Sequence, residues 1–386
     1  MEIKQSLSGQ PISHRNLAAR NYCRISGITC DDDCHHNVVE IGLSSMSLTD
    51  TIPSTLYLSL PMLRVLRLGF DNLHGDLHVD LLNCSHLQEL NLTNSGIGGT
   101  IPNISSLYTL RVLKLSAIAF VWQFACWSDS DNHWKDEEPL AFGALLQFFE
   151  DEIPKELGNL PKLMHIDLSG NKLTGIVLVS LCLLQKLKNF FSLRTSSHIE
   201  KVLRVEGAGD FRESIPCFNQ FEEIVKNSIG NAKNLTSLIL QSNQFSRDIS
   251  FVISEANKLV RIDLGNSLFS GSIPSKIRYL RKLSQLSLQG NMLGSTIPES
   301  ISNLKSLNVL NLSNNLLTKE IPNSICSLLP ISLGFSNNHL FGPILVPFIK
   351  EGLIESIYVN PNLCILIHLN IPSRLFPFVH SQKSVG

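Results

Sequence analysis

Residue types able to bind or catalyse occur throughout this chain of 386 residues, but few stand at spacings that chemistry uses. The run Asp31-Asp32-Asp33-Cys34-His35-His36 gathers carboxylate, thiol and imidazole donors. A structural zinc site spaces its ligands as two separated pairs, so adjacent donors read instead as a solvated loop. Gly207-Ala208-Gly209 lacks both a completed glycine fingerprint and a following helix signal. The 12 histidines are scattered, with no nucleophile–base constellation around them. A non-enzyme is therefore expected, with no cofactor and no metal. Cys23 and Cys30 have six residues between them and can close a small loop. Nine cysteines are too few for a disulfide scaffold. Cys84, Cys182 and Cys326 fall where a small hydrophobe is wanted and read as packed thiols.

The elements that must position any site come from a repeat. In residues 283–328 the phrase L-x-L-x-x-N-x-L-x-x-x-I-P occurs twice, from Leu286 to Pro298 and from Leu310 to Pro322, a step of 24. A period of 20–29 with leucines at fixed phase signs a leucine-rich repeat, and stacked coils bury what one coil cannot. Leu310 and Leu312, two apart on a strand, point into the core. Val309, Asn311 and Ser313 then point outward. Asn315 stands where the chain leaves the strand, and its amide can satisfy backbone groups of its own and neighbouring coils. Pro322 fixes φ on the outer side, and Ile325 and Leu328 fill the core from there.

The fold class expected is an α/β solenoid: a leucine-rich repeat superhelix of plant type, about 12–13 coils, with a parallel sheet on the concave face. Strand starts extrapolate to Ile41, Leu66, Leu90 and Leu113, then Phe142 and Ile166, then Leu238, Ile262, Leu286, Leu310 and Leu333. Ile166 and Leu238 are three steps apart, so two coils are expected between them. The asparagine position holds Met46, Asp71, Ser95 and Ile118 in the early coils. The organisation expected is a cap region over 1–37, repeats over 38–120, an irregular insertion over 121–141, and repeats over 142–187. Degenerate repeats at 188–222 follow, then repeats over 223–349 and a cap remnant and tail over 350–386. The insertion holds Trp122, Trp127 and Trp134 and reads as a damaged repeat.

Phase alone places Arg67, Lys114, His165, Asp167, Arg261, Asp263, Gln285 and Gln289 on the concave face. Such a polar ladder suits an extended peptide, although solvation of an exposed strand accounts for most of these positions. Sequons stand at Asn83, Asn91, Asn103, Asn234 and Asn311 and matter only in a secreted chain. A net charge of −1 and a pI near 6.9 give no basic face for nucleic acid. No secretory signal is visible in residues 1–10, and no apolar run reaches the ~18 residues of a membrane span.

Asn21-Tyr22-Cys23 with Gly27 to Cys30, the phrases from Leu283 to Pro298 and from Asn303 to Pro322, and Gly352 to Cys364 together carry a resemblance. The chain resembles the ectodomain of plant leucine-rich-repeat receptor kinases, close to the receptors for C-terminally encoded peptides. That resemblance implies a plasma-membrane or extracellular glycoprotein that binds a peptide on its concave face, with a co-receptor kinase at the C-terminal coils. Departures are plain. The sequence has no V-A-I-K, H-R-D or D-F-G kinase motif. It has no Arg-x-Arg pair of the sort such receptors use on a peptide carboxylate, and no cysteine after Cys364 to close the final cap. Two other readings are a free-standing inhibitor of the polygalacturonase-inhibitor type and a degenerate receptor fragment that binds nothing.

Overall fold

The computed structural model describes residues 23, 25–32, 37–52, 54–117, 148–175, 184–191, 220–221, 232–249, 251–328 and 332–364. The chain divides into two compact units, residues 1–175 with 192–220, and residues 176–191 with 221–386.

In the first unit, β1 (Ile28–Cys30) runs antiparallel to β2 (Val38–Gly42), and a Cys23–Cys30 disulfide ties the start of this hairpin. From β2 onward the strands are parallel: β3 (Val65–Arg67), β4 (Glu89–Asn91), β5 (Val112–Lys114) and β6 (His165–Asp167). Ile41, Leu66, Leu90, Leu113 and Ile166 are register partners, and all five are buried. Leu43, Leu68, Leu92, Leu115 and Leu168 form the next buried row. Each is a branched side chain worth about 1.5–3 kcal/mol once taken from water.

The pairing of β5 with β6 corrects one expectation. Val112 lies opposite His165, so no strand intervenes between the coils at Leu113 and Ile166. Hydrogen-bonded strands sit about 4.8 Å apart, which leaves no room for one. Phe142 and the expected insertion lie outside the described residues, as do Ile118 and Cys182.

In the second unit, β7 (Asn189–Phe191), β8 (Ser237–Ile239), β9 (Arg261–Asp263), β10 (Gln285–Ser287), β11 (Val309–Asn311) and β12 (Ser332–Gly334) are parallel. Phe190, Leu238, Ile262, Leu286, Leu310 and Leu333 are in register. All five strand starts expected here fall within one residue. Of the two coils expected between Ile166 and Leu238, one is seen, at β7, which pairs directly with β8. The expected end near Phe348 also moves. A 3₁₀ segment at Leu353–Ile357 and a strand at Asn362–Cys364 add a further turn.

Outside the sheet the chain runs through short 3₁₀ segments. Those at Lys155–Asn159, Ser275–Tyr279, Glu299–Asn303 and Asn323–Ser327 each begin after a proline with φ between −55 and −71°. The I-P phrase thus works as a start signal: proline presets φ and its missing N–H costs nothing at that position. Ile273, Ile297 and Ile321 before those prolines are buried, as is Ile325. Leu328 and Cys326, expected in the core, are only half-buried. Cys84 is fully buried against the Tyr57 and Leu60 carbonyls, and burial pushes its thiol pKa up to about 11.

Candidate functional site

The outward face of the sheet is where the repeat presents side chains without burying them. A row of buried asparagines stands where the chain leaves the strands. Asn315 Oδ1 accepts the Leu293 N–H at 3.1 Å, and its Nδ2 donates to the Leu288, Leu312 and Ser313 carbonyls. Asn171, Asn291, Asn338 and Asn360 repeat the pattern, each accepting one N–H from the preceding coil. Asn315 is buried, so its role is structural.

The residue before each of these positions has positive φ, a feature the sequence reading missed. Asn94, Asn266, Asn314 and Asn337 lie there at φ 50–54°, and Gly170 and Gly290 at 72° and 66°. Asparagine and glycine tolerate that left-handed geometry. At Gly170 a Cβ would overlap the Ala117 carbonyl oxygen. The N-N and G-N dipeptides ahead of the ladder were the available signal.

Asp71 occupies the ladder position in its coil. Its Oδ1 accepts the Met46 and Leu48 N–H groups at 2.8 and 3.1 Å. Its Oδ2 is buried with no partner. Where asparagine Nδ2 donates to carbonyls, an ionised carboxylate oxygen has nothing to give. Burial accordingly raises the Asp71 pKa to about 6, against the pull of those backbone donors.

On the outward face of the first unit, Arg67 is held between two carboxylates. It meets Glu89 through Nε and Nη2 at 2.7 and 2.8 Å, and Glu40 through Nη1. The bidentate hydrogen bond to Glu89, above all, keeps its guanidinium pKa raised. Its charge is thus already matched within the chain. Lys114 and Asp167 are half-buried register partners on β5 and β6, with His165 beside them. Asp167 Oδ1 accepts the Ser169 N–H at 3.0 Å.

The second unit carries four expected residues on two adjacent coils. Arg261 is exposed and opposite Gln285; Asp263, two residues on, is buried opposite Ser287. Asp263 Oδ1 accepts the Gly265 N–H at 3.1 Å. Desolvation raises its pKa, and that N–H and the Arg261 charge oppose the rise. Gln285 Nε2 donates to Ser287 Oγ at 3.3 Å. Gln289 lies against Gly265, where a Cβ would collide with its amide. Its Oε1 is buried and unpartnered.

The sequons divide by location. Asn91 and Asn311 face outward on β4 and β11, each accepting the N–H two residues on. Asn103 is exposed and caps a turn through Ser105. Asn83 Nδ2 is bonded to the Asp80 carbonyl, and Asn234 Nδ2 to the Gln185 carbonyl. Asp31 accepts two hydrogen bonds from Asn37, while residues 33–36 of the donor-rich run lie outside the described residues. Among the described residues no group of three metal-ligating side chains converges. No helix among them is long and apolar enough to cross a membrane.

Comparison with known proteins agrees with this architecture. A leucine-rich-repeat family model matches residues 162–184, 282–304 and 306–328. The receptor protein-tyrosine kinase CEPR1 of Arabidopsis thaliana is 36% identical over 177 residues, 45% of this chain and 18% of the relative. The receptor-like protein kinase HAIKU2 of the same plant is 33% identical over 173 residues, 42% of this chain and 16% of the relative. The chain therefore spans less than a fifth of either. Among solved structures, the Arabidopsis receptor kinase HAESA, in complex with the peptide hormone IDA and the co-receptor SERK1, superposes with a TM-score of 0.66. That match is 24% identical and covers 83% of this chain and 45% of HAESA. The chain has a leucine-rich-repeat fold, similar in sequence over part of its length to plant receptor-like kinases and in fold to their leucine-rich-repeat ectodomains.

Proposed function

We propose that this chain is a non-catalytic peptide-binding protein of the receptor type, acting at a plasma membrane or outside the cell. An extended peptide lies across the outward face of β9 to β11. The observation that carries the reading is the Gln289 Oε1 acceptor, buried and unpartnered against Gly265, in the coil next to that of Arg261 and Asp263. A buried acceptor without a donor is costly, and turning the Gln289 amide outward lets a peptide N–H crossing the strands supply one. HAESA binds the peptide hormone IDA together with a co-receptor; a co-receptor kinase is the matching second partner here.

The absence of an Arg-x-Arg pair sets the expected affinity. Two arginines on one strand clamp a terminal carboxylate with charge-assisted bonds. Arg261 instead has Asp263 as its neighbour on that face. Calorimetric titration of the chain with a C-terminally encoded peptide should give a dissociation constant above the micromolar range. The value should not change when the peptide is C-terminally amidated, and should rise at least fivefold in Gln289→Ala. Sub-micromolar binding abolished by amidation would show a working carboxylate clamp and refute this mode. No saturable binding at all, to this or other secreted peptides, would refute the function.

A further inference from the structure

A second surface stands on the flank of the second unit, where the outer 3₁₀ segments turn into the strands. An open cleft of about 960 Å³ is lined there by Lys233, Lys258, Lys276, Tyr279, Arg281 and Lys282. Lys233, Lys258 and Lys282 sit at the same turn of three consecutive coils, 25 and 24 residues apart. The coil-to-coil contact at this turn is direct: Lys258 Nζ donates to Asn234 Oδ1 at 2.6 Å. Glu255 is the single carboxylate of the lining. Among the described residues, Lys233, Lys258, Arg281 and Lys282 form no ion pair. A chain with net charge −1 has thus collected five cations around one cleft.

We propose that this flank binds a linear acidic polysaccharide, a polyuronate whose carboxylates run along the coil axis. The surface is separate from the sheet face, and the proposal does not depend on the peptide reading. Three features select the ligand. Each coil contributes at least one cation, Lys258 and Lys282 in register about 4.8 Å apart and Lys233 one residue off that register, so the matching ligand carries repeated charge rather than one phosphate. Lysines dominate, and lysine acts as a point charge on a flexible stem rather than a bidentate fork. The cleft also offers no strand edge to an incoming peptide. The backbone N–H groups of Ser284 and Gln285 already donate to Val260 O, and those of Val260 and Arg261 to Thr236 O.

Tyr279 favours sugar over an acidic peptide. Its ring is exposed, and Arg278 fixes it by lying 5.1 Å from the ring centroid while Nη2 donates to the hydroxyl at 3.1 Å. That leaves an oriented aromatic platform between cations, which the C–H face of a pyranose can cover. The Asn257 amide beside it can reach ring hydroxyls.

The test is titration of the full chain with an unesterified uronic-acid oligomer, with poly-glutamate and with single-stranded DNA in parallel. The uronate should bind saturably, and tenfold more weakly when salt rises from about 50 to about 500 mM. Lys258→Gln with Lys282→Gln should weaken it about tenfold, whereas Lys350→Gln on the exposed Val346–Lys350 helix should not. Tyr279→Ala should weaken uronate binding and leave any poly-glutamate binding unchanged. A second pair, Lys233→Gln with Arg281→Gln, gives the same readout should the first pair lower the thermal midpoint. No saturable uronate binding overturns the proposal. Poly-glutamate or DNA binding as tight as uronate, with no effect of Tyr279→Ala, overturns it in favour of an acidic protein segment or nucleic acid.

Discussion

Asp71 shows how one atom decides a pH response. Its folded pKa of about 6 stands above the unfolded value of 3.8. A raised acid stabilises the fold fully below the unfolded value and loses that contribution as pH rises through the folded one. Stability from this group should therefore fall between about pH 4 and pH 6. Replacing Oδ2 by an amide removes the titration and restores the donor. Asp71→Asn should be more stable than the parent, with the gap widening by about 1–2 kcal/mol from pH 4 to pH 7, discounted for partial exposure. Denaturant melts at the two pH values measure it, and parallel curves for parent and variant would exclude the account. Asn315 is the complementary case. Asn315→Ala leaves the Leu293 N–H and three carbonyls without their partner, so a loss of about 1–3 kcal/mol is expected in urea unfolding. An unchanged midpoint would contradict the ladder's structural role.

At the scale of the coil, the left-handed residue before the ladder is a conformational requirement that Phe70 meets badly. It has φ 59° and an exposed ring, at a position held by asparagine or glycine in six other coils and by Ser45, Ser242 and Val359 in three. Phe70→Asn should therefore raise stability by about 1 kcal/mol, read as an upward shift of the thermal midpoint. The cap offers a second test. Reducing the Cys23–Cys30 bond closes no other loop, and its loss should cost about 2 kcal/mol by chain entropy. Thiol labelling of the oxidised protein should modify Cys364 and spare Cys23. Leucine phase placed Leu238 to Leu333 on strands because a buried row tolerates no slip: a one-residue shift turns every leucine outward. The same phase could not tell an inserted segment from a worn coil near Phe142, because both replace leucines with unrelated residues. Only the direct pairing of Val112 with His165 settles that no strand lies between. On the candidate face, phase singled out Arg67 and Gln289 from their positions in the repeat alone. It could not show that Glu40 and Glu89 close around one, or that the other has an acceptor to spare. Those facts depend on neighbours 22 to 27 residues away in sequence.

For the molecule as a whole, the asparagine row gives the stack a direction. Asn291 serves the N–H of Phe269, Asn315 that of Leu293, Asn338 that of Leu317 and Asn360 that of Leu340. In each of these four pairs an N–H of one coil is satisfied by the asparagine of the coil that follows it. During synthesis this becomes a lag. A coil leaving the ribosome keeps an unpaired N–H until about 24 more residues have emerged, roughly one to five seconds at ordinary elongation rates. The growing chain therefore always trails one unfinished coil, and protease should cut nascent chains stalled before Asn315 within the coil that contains Leu293, while chains stalled well beyond it resist there.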